Sequence, residues 1–314
     1  MAERDSREID RLIATMRVGF TGFMYPAPDH VDFDARAAWQ LERSAQLGAT
    51  CLQVVDLPQT AAARQDLAAA AASLDIELEG LVRALFVPLG EDPSSREALL
   101  AEQLACAKEA GLGTVRHGWG RLTLATSRYS PERNAEKQKA HIVRCLKSAA
   151  RIAEDAGVQI AVENHCDFYG RELAQLLREV DSPWIGCALD TGNGYAVVND
   201  ANQDVEALAG LAVTTHIKDM RMIQNPLAWA VPFLPVGCRL GEGSVDIPNA
   251  IRLLAERSPK AEGLHLIVEA GWEPEGDIPE AVVPPLELRI QILEHGVGYL
   301  RQLVTAAGQS KTQE

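Results

Sequence analysis

The chain contains no run of the roughly 18 apolar residues that a membrane span requires. Its opening segment "MAERDSREIDRLIATM" is charged and reads as a short helix, with no apolar core of a secretory signal. Basic residues are scarce: 30 Lys and Arg stand against 44 Asp and Glu, a formal net charge of −14. That balance excludes a phosphate-binding face for nucleic acid and docking on an anionic bilayer. None of the six cysteines forms a C-x-x-C pair, so reduced thiols in a cytoplasmic protein are expected. There is no glycine-rich phosphate loop after an early strand, no repeat of about 20–50 residues, and no low-complexity linker. At 314 residues, 47% of them hydrophobic, the chain buries a core without a metal or disulfide staple, so any bound metal would serve function.

What the sequence does have is a rhythm. Short β-rich runs at 17–23, 50–57, 77–83, 114–120, 159–165, 185–193, 212–219 and 264–272 alternate with stretches of helical spacing. Three of those helices, 33–48, 96–111 and 135–157, end in Gly48, Gly111 and Gly157, where a left-handed cap belongs. Eight strands alternating with helices predict one α/β domain over 1–314, a (β/α)8 TIM barrel. Residues 1–16 would form a helical extension and 306–314 a frayed tail. The segment 221–244 after strand seven is too long for a plain connection and reads as a lid or substrate loop.

A barrel places its chemistry at the C-terminal ends of the strands. Strands five to eight end near Glu163, Asp190, His216 and Glu269. Alternation puts Val213, Thr215 and Ile217 on one side of strand seven and Thr214, His216 and Lys218 on the other. The same alternation groups Glu163 with His165, Asp190 with Ala188, and Glu269 with His265 and Ile267. One strand-end carboxylate is more often a helix cap or surface ion pair, and one buried histidine is more often a hydrogen-bonded core residue. Four successive strands with matching parity are not explained that way. Three carboxylates converging in a low-dielectric mouth need a cation. An oxygen-rich set with one imidazole suits Mn²⁺ first, then Mg²⁺ or Co²⁺, with Zn²⁺ also compatible.

The pieces "VENH" (162–165), "LDTGN" (189–193), "THIKD" (215–219), "GEGSVDIPNAI" (241–251) and "IVE" (267–269) carry a resemblance. With them the sequence resembles the xylose isomerase-like TIM-barrel superfamily, which includes sugar isomerases, epimerases and endonuclease IV-like proteins. The resemblance implies that Glu163, Asp190, His216 and Glu269 bind one divalent metal, and that Glu163 and Glu269 double as an acid/base pair. It departs at Asn193, where the epimerases usually place a histidine, and Arg221 stands in for their substrate arginine. Seven histidines and a charge of −14 do not suit the trinuclear-zinc DNA-repair branch.

Further polar residues fall near the expected mouth. Arg83, Arg116 and His117 would suit a substrate carboxylate or phosphate, Arg121 lies just beyond them, and Glu242 would face the site or cap a helix. His165 and Lys218 are candidate proton donors, and a Schiff-base role for Lys218 is redundant beside a metal. Trp119, Trp229, Phe233 and Trp272 would form either a wall of the site or ordinary packing. The function expected is isomerisation or epimerisation of a keto-sugar or sugar acid through a cis-enediolate. Decarboxylation of a 3-oxo sugar acid, or elimination from a keto-sugar, is the alternative. A non-catalytic sugar binder would have no use for the Glu163 and Glu269 pair. The partner is a small carbohydrate or sugar acid, and homo-oligomerisation is compatible with the sequence.

Overall fold

In a computed structural model, which describes residues 4–120, 124, 127–130, 135–225, 230–270 and 285–309, eight parallel strands close into a barrel. They are β1 (Arg17–Thr21), β2 (Cys51–Val54), β3 (Glu77–Leu81), β4 (Thr114–Gly118), β5 (Gln159–Glu163), β6 (Ile185–Asp190), β7 (Ala212–Ile217) and β10 (His265–Val268). β1 closes the ring by pairing with β2 on one side and β10 on the other. The connections carry α2 (Arg36–Gln46), α3 (Ala61–Ser73), α4 (Glu97–Glu109), α5 (Ala135–Ala156), α6 (Gly170–Val180), α7 (Ala201–Leu208) and α8 (Ile247–Arg257). The terminal helices α1 (Ser6–Thr15) and α9 (Leu286–Gln309) pack on each other.

Local chemistry sets the helix ends. Asp5, Thr60, Asp200 and Asp246 each accept a first-turn backbone N–H from their side chains. Gly48, Gly111 and Gly157 have φ of +67°, +78° and +67°, the left-handed conformation expected of them. The fully buried Phe20, Leu52, Ile160, Leu189 and Ile217 alternate with the barrel-facing residues and form the apolar layer beneath the helices.

Three expectations need correction. Strand seven ends at Ile217 rather than at residue 219, because Asp219 opens a new strand, β8 (Asp219–Gln224). β8 pairs antiparallel with β9 (Phe233–Cys238), so the long segment read as a lid or substrate loop carries a two-stranded arm. The tail expected to fray from 306 stays helical through Gln309, and 310–314 lie outside the described residues. Simple alternation also fails at Val213. The β6–β7 register shifts between Cys187 and Ala188, and Val213 packs with Ala161 and Ala188, the barrel-facing alanines.

One exposed position stores backbone strain. Val198 follows a short 3-10 turn (Asn193–Val197) with φ +55° and ψ +46°, and 83% of its surface is exposed. A β-branched residue costs about 1–2 kcal/mol in that conformation, whereas asparagine tolerates it. Val198→Asn is therefore expected to raise Tm by roughly 1–3 °C in a calorimetric scan; an unchanged or lower Tm would contradict this.

Candidate metal centre and active site

The strand ends bring the four expected residues together. One ligand-type atom from each of Glu163, Asp190, His216 and Glu269 lies within 4.8 Å of the other three. His216 Nδ1 stands 3.1 Å from Glu269 Oε2, 3.3 Å from Glu163 Oε1 and 3.9 Å from Asp190 Oδ2. Glu163, Asp190 and His216 are buried, while Glu269 keeps an exposed edge.

Each side chain is held from behind. The Asn164 amide donates to the Asp190 carbonyl and accepts the Asp190 N–H, both at 2.8 Å. Asp190 Oδ1 accepts the N–H groups of Gly192 (2.8 Å) and Asn193 (2.9 Å). Its other oxygen, Oδ2, is buried and makes no hydrogen bond of good geometry, although Lys218 Nζ is 3.0 Å away. An unsatisfied carboxylate oxygen facing two more carboxylates and an imidazole nitrogen fits a hard or borderline divalent cation.

Two side chains already bring positive charge to this cluster. Lys218 Nζ lies 2.8 Å from Glu269 Oε2 and donates to Asn193 Oδ1 at 3.1 Å. Its backbone is pinned beside the site by Thr191, whose hydroxyl accepts the Lys218 N–H and donates to the Lys218 carbonyl. Arg116 pairs with Glu163 Oε2 and donates through Nε to Gln53 Oε1 at 3.1 Å.

These neighbours set the protonation states. Burial pushes Glu163 up, but Arg116 and His216 outweigh it and hold its pKa at about 2. Burial likewise opposes ionisation of Glu269, and Lys218 and His216 keep it well below the ordinary range. Asp190 goes the other way: burial, against the pull of Lys218, lifts it to about 6. Burial and Arg116 press His216 down, but Glu269 and Glu163 raise it to about 9. Lys218 is raised despite its burial, by Asp190 and Glu269.

The remaining candidates divide. His165 follows β5, and burial lowers its pKa, so its imidazole is neutral beside Glu163 and Lys218. Asn193, standing where a histidine was expected, joins Lys218 to Asp190. His117 packs against the ring of Phe86, and burial lowers its pKa to about 4. Arg83 is exposed and lines a separate cavity of about 520 Å³ with Asp56, Arg64 and Leu81. Arg221 sits on β8 opposite Val236, and Glu242 is exposed in the turn that follows β9. Trp119 donates to Gln138 in the helix-side packing, and Phe233 is exposed on the arm. Arg121, Trp229 and Trp272 lie outside the described residues.

Three residues that sequence reading passed over build the site. Asn164 and Gln53 buttress it from behind. Asp219 explains why "HIKD" and "GEGSVD" occur together: its carboxylate accepts the N–H groups of Gly241, Gly243 and Val245 at 2.9, 2.9 and 3.1 Å. A Cβ on Gly243 would stand 2.1 Å from Asp219 Oδ1, so this turn requires glycine. A second trio, His165, Cys166 and Asp167, also gathers ligand-type atoms. There burial pushes the Cys166 thiol up to about 12, so it stays protonated.

All six cysteines are free. Among the described residues no helix is long and apolar enough to cross a membrane. A family model described as a xylose isomerase-like TIM barrel matches residues 41–301. A 3-oxo-isoapionate decarboxylase of Pectobacterium atrosepticum is 24% identical over 265 residues, 82% of this chain and 86% of the relative. Among solved structures, an L-ribulose 3-epimerase superposes with a TM-score of 0.66 at 16% identity, covering 94% of this chain and 97% of its own. The IolI protein with a bound zinc atom gives a TM-score of 0.59 at 15% identity, with 94% and 97% covered.

Proposed function

The chain belongs to the xylose isomerase-like TIM-barrel family, and from that premise we propose that it is a metal-dependent lyase that decarboxylates a 3-oxo sugar acid. One observation carries this reading ahead of epimerisation. Both carboxylates that an epimerase would use as bases are engaged by fixed cations, Glu163 by Arg116 and Glu269 by Lys218. A carboxylate tied up in a buried ion pair is less available as a base for a C–H bond. Loss of CO₂ from a 3-oxo acid needs no such base: the C1–C2 bond breaks and its electron pair moves into the enolate at C2, C3 and the keto oxygen.

Glu163, Asp190, His216 and Glu269 would hold the metal, most naturally Mn²⁺, with Mg²⁺, Co²⁺ or Zn²⁺ as alternatives. When bound, it supplies Lewis-acid polarisation of the keto oxygen and a neighbouring hydroxyl. Lys218, with a raised pKa, stays charged and donates a hydrogen bond to the oxygen on which negative charge develops. Neutral His165 relays a proton from solvent to C2, completing the ketone product.

Charge supports an anionic substrate. Three carboxylates, a divalent ion, Lys218 and Arg116 with His216 neutral leave one net positive charge at the mouth, which a sugar acid neutralises and a neutral sugar does not. The likeness to a 3-oxo-isoapionate decarboxylase, over 82% of this chain, points the same way. The second reading, epimerisation, rests on the placement of Glu163 and Glu269 on either side of His216. The six unpaired thiols suit a reducing, cytoplasmic setting for either reaction.

Turnover of matched 3-oxo sugar acids and their methyl esters separates the two readings. The free acid is expected to react and the ester to be inert. An enzyme that turned over neutral keto-sugars at least as well as the acids would restore epimerisation.

A further inference from the structure

A column of buried polar groups runs down the inside of the barrel beneath His216. His216 Nε2 lies 3.0 Å from Gln53 Oε1, and Gln53 Nε2 donates to Glu79 Oε1 at 2.7 Å. Glu79 Oε2 accepts from Thr214 and from His265 Nδ1, and His265 Nε2 meets Glu77 at 2.9 Å near the opposite end of the barrel. Gln53 is fully buried and Glu79 is 1% exposed. TIM barrels usually fill this space with branched apolar side chains, which carry no hydrogen-bond demands. Here the polar filling has a direction.

We infer that Gln53 selects the ring nitrogen His216 offers to the metal, and that Glu79 fixes which way Gln53 faces. The inference rests on the metal reading of the four-residue cluster. Two independent polarity constraints orient the Gln53 amide. An ionised carboxylate only accepts, so the Gln53 atom beside Glu79 is the nitrogen. A guanidinium only donates, so the Gln53 atom 3.1 Å from Arg116 Nε is the oxygen. That same oxygen can only accept from His216, which places a hydrogen on Nε2. Nδ1, turned toward Glu163 and Glu269, is left as the nitrogen whose lone pair meets a cation.

Glu79 keeps its accepting role because it stays ionised. Burial opposes its charge, but His265, Thr214 and Gln53 together hold its pKa below the ordinary range. The column transmits orientation and not protons, since a carboxamide interposed between His216 and Glu79 does not pass a proton along. Gln53 is thus a positioning residue, acting on the metal through His216.

The test compares Mn²⁺ binding by titration calorimetry in wild type, Gln53→Met, Glu79→Gln and Thr215→Val. Gln53→Met keeps the side-chain length and removes both polar atoms. Glu79→Gln can donate as well as accept, so the direction of Gln53 is no longer forced. Thr215→Val removes a buried hydrogen bond to the His265 carbonyl beside His216 but outside the column. The Mn²⁺ dissociation constant is expected to rise about 10–100-fold in the first two and less than about threefold in the third. Wild-type affinity in Gln53→Met would overturn the inference, as would an equal loss in Thr215→Val.

A second readout needs no metal. In protein labelled with ¹⁵N-histidine, the His216 Nε2–H, identified by its absence from His216→Ala, should exchange slowly in wild type and rapidly in Gln53→Met. Slow exchange in both would overturn the inference. If wild type itself takes up no Mn²⁺, the metal reading fails on its own and the ring proton still decides the role of Gln53.

Discussion

His216→Ala is expected to abolish stoichiometric metal binding and lower turnover by about 10³-fold or more, a loss of several kcal/mol of charge stabilisation. The imidazole is the one nitrogen in an otherwise all-oxygen set, and it lies within 3.9 Å of all three carboxylates. Without metal, His216 carries a proton up to a pKa of about 9. A metal must displace that proton, so affinity should climb about tenfold per pH unit between about 6 and 9, more steeply below 6 where Asp190 also holds a proton, and level off near 9. The linked stability has the opposite sign. Because the folded pKa is raised above the unfolded value, the metal-free protein gains most from His216 below about pH 6.5 and loses that gain as pH rises through 9. Metal content by atomic emission and unfolding curves at two pH values check both. Full metal occupancy in the alanine variant would exclude His216 as a ligand.

Lys218→Met should behave differently from any ligand variant. In the proposed reaction, removing the ammonium takes away the hydrogen-bond donor to the reacting oxygen, and such a loss typically costs about 10²–10³ in kcat. It also removes a positive charge 3.0 Å from Asp190 Oδ2 and 2.8 Å from Glu269 Oε2, so a divalent ion meets less repulsion and binds more tightly. Lower kcat with tighter metal is the signature expected from steady-state kinetics and calorimetry. Lower kcat with weaker metal would instead make Lys218 a support for the ligands alone.

Much of this site was legible in the sequence because its ligands sit at strand ends, where period-two alternation decides orientation. Glu163, Asp190, His216 and Glu269 converge as that alternation requires. The three capping glycines were legible for a similar local reason, since a left-handed residue at a helix end favours glycine. What stayed hidden depends on contacts distant along the chain. Arg116 and Lys218 read as residues open to substrate, and only the fold shows each turned onto a ligand carboxylate. Gln53 lies 163 residues from His216, and nothing in "CLQVV" marks its amide as the partner. The β8–β9 arm was masked because Asp219 continues the "THIKD" pattern while its side chain ties the glycine turn that follows β9. Val213 broke the alternation through a register shift that only strand pairing reveals.

In the proposed reaction this barrel breaks the C1–C2 bond of a 3-oxo sugar acid rather than inverting a stereocentre. Mn²⁺-loaded protein given a 3-oxo sugar acid labelled with ¹³C at C1, followed by ¹³C NMR, addresses it directly. One labelled CO₂ or bicarbonate released per substrate consumed, with an unlabelled ketone left behind, is the predicted result. Label retained in the carboxylate of an epimerised acid would contradict it.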